Sequence, residues 1–179
     1  VLHSGFGDAS GLVEVVGLTL GGLALQDGQP PLPAGAEPLE SRRVFRTLLG
    51  ERHNRIVTTL AKERRAVAAR WGVRNLPSTD EWLDRFAGTM AGTMARPVPQ
   101  PNQADDLIRC ATMGSLVPLQ SAAQLAELPV PATSAMIELA HQSIGGDLLH
   151  AGRRLDNMGF VNTDLDGIRT QLDAMTVAT

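Results

Sequence analysis

The groups in this chain best suited to moving protons are His3, His53, His141 and His150, together with the acidic pair Asp105-Asp106. Imidazole titrates near neutral pH, and a carboxylate beside it orients the ring and stabilises its charged form. His3 opens a segment with Gly5, Gly7 and Asp8, where a polar side chain is free to face a cleft; the plainer reading is a fraying chain end. His53 falls on the charged side of a long helical pattern, and His141 and His150 fall on short helices, where solvation or packing accounts for them. Asp105-Asp106 precedes a helical pattern, so capping competes with a proton-relay role. Arg153 can hold a substrate carboxylate through two parallel bonds, or pair with Asp147 or Asp156.

Other chemistries lack their motifs. There is no Gly-x-Gly-x-x-Gly, phosphate loop or Gly-x-Ser-x-Gly elbow, and the histidines form no metal-ligand spacing. Cys110 is the single cysteine, which rules out an intrachain disulfide and fits a reducing compartment such as the cytoplasm. A net charge of −3, from 16 basic and 19 acidic residues, gives no footprint for nucleic acid. The longest apolar run, Leu12 to Leu25, is broken by Glu14, Thr19 and glycines and is too short to span a bilayer.

The elements that must position these groups read as helices, and with 43% hydrophobic residues one core over 1–179 is the expectation. Residues 1–35, rich in glycine and proline, read as an irregular lead-in, although the run from Gly11 to Val16 suits a strand or a helix equally. A long helix is expected from Pro38 and Glu40 to Trp71, with a possible break at Gly50. Val57, Leu60, Val67, Ala68 and Trp71 fall on its apolar face, and Arg52, Arg55, Lys62, Arg64 and Arg65 on a solvated one. Gly72 ends it, and Ser78 with Glu81 forms a capping box before Trp82, Leu83 and Phe86. The Gly88-Thr89-Met90 echo at Gly92 is too short to be a repeat, and the prolines from Pro97 to Pro101 make an extended connector. Further helices are expected from Gln103 to Met113, from Pro118, from Thr133 to Ser143, from a cap at Asp147, and from a cap at Thr163 or Asp164. The fold class is mostly α.

The order of turns from Gly114 to Phe160 resembles the octopine/nopaline (opine) dehydrogenase family. The resemblance lies in Leu116-Val117-Pro118-Leu119, the Leu-Pro-Val-Pro-Ala-Thr turn, Met136-Ile137-Glu138-Leu139-Ala140, Asp147, and Gly152-Arg153-Arg154-Leu155 with Gly159. Upstream, Glu63-Arg64-Arg65-Ala66-Val67-Ala68 followed by Trp71-Gly72-Val73 is similar to that family's Glu-Arg helix end.

The resemblance implies a helical substrate and dimerisation domain, like the C-terminal domain of opine and 6-phosphogluconate-type dehydrogenases. A Rossmann half binding NAD or NADP is expected upstream of Val1. The implied reaction joins an amino acid to a 2-oxo acid and reduces the imine, with the amino acid, the oxo acid, the Rossmann half and a second copy as partners. By the same resemblance His3 is the general acid–base, Asp106 its carboxylate partner, and Arg109 and Arg153 bind substrate. The ungapped match puts Cys110 and Ala111 where the family has Glu-Asp, so Asp106 takes that role only with about one inserted helical turn before Leu116. Two other readings fit the residues: a non-catalytic helical interaction module, and a 2-hydroxy acid or ketopantoate-like dehydrogenase domain.

Overall fold

The computed structural model describes residues 2–21, 50–78, 81, 101–160 and 163–177. Every regular element among them is helical: α1 (Leu2–Gly7), α2 (Ser10–Leu20), α3 (Glu51–Arg70), α4 (Pro101–Ala111), a π-helical turn (Thr112–Leu116), α5 (Val117–Leu125), α6 (Pro131–Ile144), α7 (Leu148–Ala151) and α8 (Leu165–Val177). The chain is therefore mostly α, as its patterning predicts. No described helix is long and apolar enough to cross a membrane.

The irregular lead-in expected over 1–35 is corrected where it is described: residues 2–20 form α1 and α2. Leu12, Val13, Val15, Val16 and Leu18 of α2 are all buried, and the helix packs on α3, α4, the π turn and α6. A helix enclosed on nearly all sides is apolar nearly all round, so it carries no 3.6-residue period to read. Gly11 permits that enclosure, because a Cβ there would come within 2.1 Å of Ser115 Oγ on the π turn.

Helix α3 begins where Gly50 donates its N–H to His53 Nδ1 at 3.1 Å, so His53 is a capping residue. The expected start at Pro38 lies outside the described residues. Val57, Leu60, Val67 and Ala68 lie on its buried face as predicted, joined by Ala61 and by Arg64, which corrects the solvated reading of that arginine. Next to it, the Glu63 carboxylate accepts the backbone N–H groups of Ala132 and Thr133, both at 2.8 Å, and the Thr133 hydroxyl at 2.7 Å. These are orphan donors of the first turn of α6, so Glu63 caps that helix from another element and fixes α6 against α3. Gly72, at φ +82, closes α3, with Val73 N–H bonded to the Ala68 carbonyl at 2.8 Å.

The Ser78–Glu81 capping box is present in both directions, at 3.1 and 2.7 Å. Trp82, Leu83, Phe86, the Gly-Thr-Met echo and the connector up to residue 100 lie outside the described residues.

The expected break before Pro118 is a change of helix type instead. Pro118 has no N–H for the Gly114 carbonyl, and its ring would clash with that carbonyl in an α-helix. The chain relaxes into a π turn, with Val117 N–H bonded five residues back to Thr112 O, and α5 continues from it.

Asp147 caps α7 by accepting the His150 N–H at 3.0 Å, and its second oxygen lies 2.6 Å from His150 Nδ1. Asp164 caps α8 through the Gly167 N–H at 2.7 Å.

Two outcomes check this packing. Gly11→Ala should lower stability by about 1–3 kcal/mol through overpacking against Ser115, and adding Ser115→Gly should return part of that loss in the denaturant midpoint. An unchanged midpoint for the single variant would mean the two helices are not in such close contact. At the α7 cap, the His150 N–H, and after it the His150 ring, hold the Asp147 carboxyl below its ordinary value. Its stabilisation is therefore complete above the unfolded pKa of about 4 and fades as pH falls through the folded value. Asp147→Asn keeps a capping side chain, so its melting temperature should fall less than that of the wild type below about pH 4. Parallel acid limbs for the two proteins would refute that assignment.

Candidate functional site

The buried residues form two clusters, one around α2 and one around Trp71, Leu119, Ala123 and Ile168. A cavity of about 460 Å³ lies where they meet, with Leu12 from the first cluster in its wall and Trp71, Leu119, Ala122 and Ile168 from the second. That volume is within the range of small-molecule sites.

Five parts of the chain build the wall. The α1–α2 corner gives Gly5, Phe6, Asp8 and Leu12, and the C-terminal half of α3 with the residue that follows it gives Arg64 and Trp71. The π turn and α5 give Gly114, Ser115, Pro118, Leu119 and Ala122. The segment after α7 gives Arg153, Leu155, Met158 and Phe160, and α8 gives Ile168 and Leu172. Phe6 and Trp71 stack at a tilt, with ring centroids 6.4 Å apart, and Trp71 Nε1 donates to the Ala122 carbonyl at 3.1 Å.

Arg64 is the buried charge of this wall, at 2% exposure. Its Nη1 donates to the Phe6 carbonyl at 2.8 Å, while Nε and Nη2 are buried with no hydrogen-bond partner among the described residues. Burial lowers the Arg64 pKa from its ordinary value, Arg65 adds repulsion, and Asp8 opposes both. The ordinary value of a guanidinium is so high that the group stays charged.

Arg153 is exposed at the cavity, and its backbone N–H is fixed on the Met113 carbonyl of the π turn at 3.0 Å. The two partners suggested by the sequence are engaged elsewhere: Asp156 bonds Arg154 and Asp147 bonds His150. The segment is held close by Gly152, where a Cβ would lie 2.7 Å from Val117 Cγ1, and by the bond from Leu155 N–H to Ser121 Oγ at 3.0 Å.

The other expected site residues are spread out. His3 lies on α1, just before the cavity residues Gly5 and Phe6, and its side chain is outside the described ones. Asp106 is exposed on α4 and does not line the cavity; α4 turns Ala104, Ile108 and Ala111 inward, which places Asp105 and Asp106 on its outer side. Arg109 is half-buried, with Nη1 against the Gly145–Gly146 turn, where a Cβ on Gly146 would lie 3.0 Å from it. The structure thus brings Arg153 and the His3 segment together and leaves Asp106 and Arg109 apart from them. His150 and Asp147 make a close pair, but both are exposed and neither lines the cavity.

Arg64 and Asp8 were not singled out from sequence. Arg64 carried a signal: Val57, Leu60, Arg64, Val67 and Trp71 step by three and four along one face, so the arginine occupies a stripe position. Asp8 carried none beyond its neighbourhood to His3. No protein-family model matches the chain, and no curated protein matches it.

Proposed function

We propose that this chain is the substrate-binding helical domain of an opine-type NAD(P)H-dependent oxidoreductase, working in the cytoplasm with an upstream Rossmann half. One observation carries the reading. Four stretches that bear the resemblance, far apart in sequence, contribute to one cavity: the His3 segment through Phe6 and Asp8, the Glu-Arg helix through Arg64 and Trp71, Leu-Val-Pro-Leu through Pro118 and Leu119, and Gly-Arg-Arg-Leu through Arg153 and Leu155.

In this reading the mostly apolar lining surrounds the carbon where amine and oxo acid join, which favours loss of water and formation of the imine. Arg153, held at the rim by the Met113 carbonyl, orients an incoming carboxylate. His3 exchanges the single proton consumed with the forming C–N centre. The resemblance names Asp106 as its partner, but of the two carboxylates it is Asp8 that lines the cavity. A bound reduced nicotinamide supplies the hydride. The described residues contain no diphosphate cradle, so no residue of this chain is assigned to holding the dinucleotide.

The test is oxidation of NADH or NADPH by the intact protein with a panel of 2-oxo acids and amino acids. Oxidation that needs both substrates supports the reading, and His3→Ala should then cut turnover about 100-fold or more. Oxidation with the 2-oxo acid alone would move the assignment to a 2-hydroxy acid dehydrogenase. No oxidation with any pair would leave the helical interaction module.

A further inference from the structure

We propose that the outer face of α3 is a docking surface for the phosphate backbone of a double-stranded nucleic acid, held by charge and without reading of the bases. The inference goes beyond the oxidoreductase reading and uses neither the cavity nor its chemistry.

In sequence α3 mixes acids with bases, and the fold decides where each charge points. Glu63 is consumed by the first turn of α6, and Arg64 is buried. Glu51 is held by Arg55 at the start of the helix. What is left outside is positive. Arg52, Arg55, Lys62 and Arg70 are exposed, Arg65 is half-buried beside them, and Arg74 follows just past the helix end. Apart from Arg55, these cations form no ion pair with a described residue. Arg55 and Lys62 lie nearly in line, while Arg52 and Arg70 are about five full turns apart and share one side of that line. The row is about 27 Å long at 1.5 Å per residue. The net charge of −3 is a sum over the whole chain and conceals this separation of charge.

The rest of the face selects the partner. The residues exposed between the cations, Thr58, Thr59, Ala66 and Ala69, are small, and none is aromatic or a large aliphatic. A folded protein partner is held mainly by buried aromatic anchors, and an amphipathic helix binds a membrane through apolar side chains that enter it. Single strands are held by rings on which their bases stack. This face offers none of these. A duplex backbone asks only for cations, because its phosphates place one charge about every 1.7 Å along the axis. Guanidiniums meet phosphate oxygens in pairs, and four of the five cations within the helix are arginines. A straight row of about 27 Å follows such a rod for roughly eight base pairs.

The test is fluorescence anisotropy of a labelled duplex of about 20 base pairs, titrated with the full chain over a salt series. Five phosphate contacts should give a slope of log K against log salt of roughly −4.5, a loss of roughly 500-fold between about 50 and about 200 mM salt. Duplexes of unrelated sequence should bind alike. Lys62→Gln should reduce the slope by about 1, and Arg52→Gln, Arg55→Gln and Lys62→Gln together by about 3. The melting temperature should be kept, since all three side chains are exposed. No binding of the duplex, a slope untouched by these substitutions, or tighter binding of a single strand would each overturn the assignment. So would a preference for phosphatidylserine vesicles or for polyglutamate over the duplex. NAD(P)H oxidation should be the same in Lys62→Gln as in the wild type, so duplex binding and the oxidoreductase reading stand or fall separately.

Discussion

Much of this structure depends on one missing hydrogen. Pro118 has no N–H to give, and the helix that reaches it from Pro101 cannot stay α without stranding and crowding the Gly114 carbonyl. The π turn over Thr112–Leu116 is the answer, with Val117 bonding to Thr112 five residues back. It aims Gly114 and Ser115 at the cavity and offers the Met113 carbonyl to Arg153. It also sets Ser115 against Gly11, which lets the buried helix α2 pass close by. One local backbone constraint thus shapes the wall of the cavity, the seat of α2 and the position of a rim arginine.

Neighbouring residues on α3 show how differently two charges can be met by the same fold. Glu63 is met by three donors at the start of α6, so its charge is spent on joining two helices. Arg64, one residue on, is more deeply buried, yet among the described residues its guanidinium hydrogen-bonds only to the Phe6 carbonyl. A polar group that the fold needs is satisfied by the fold. For Arg64 the fold supplies less: Nε and Nη2 have no hydrogen-bond partner among the described residues, and the charge of Asp8 favours the guanidinium.

The sequence made some of this plain and hid the rest for physical reasons. The α3 stripe, the Ser78–Glu81 box, the Gly72 stop and the caps at Asp147 and Asp164 were legible because each is a local effect, decided within one turn of chain. Helix α2 was not, since a helix packed on nearly every side keeps no period. The π turn was read as a break, because a proline within an apolar pattern signals an interruption without saying how the backbone absorbs it.

Arg64 shows how composition can override pattern. Its position in the three-and-four stripe put it inside, but arginines are rarely buried and seven other basic or acidic residues share the helix, so the solvated face claimed it. The exception is the informative part. At 2% exposure the Arg64 guanidinium does not snorkel to water, and it ties α3 to the Phe6 carbonyl of α1 instead. Asp106 is the converse, a carboxylate with a role implied by resemblance but placed by its own helix on the solvent side, opposite Ala104, Ile108 and Ala111. Helix period decided both positions, and it favours the residue on the stripe as the one built into a site.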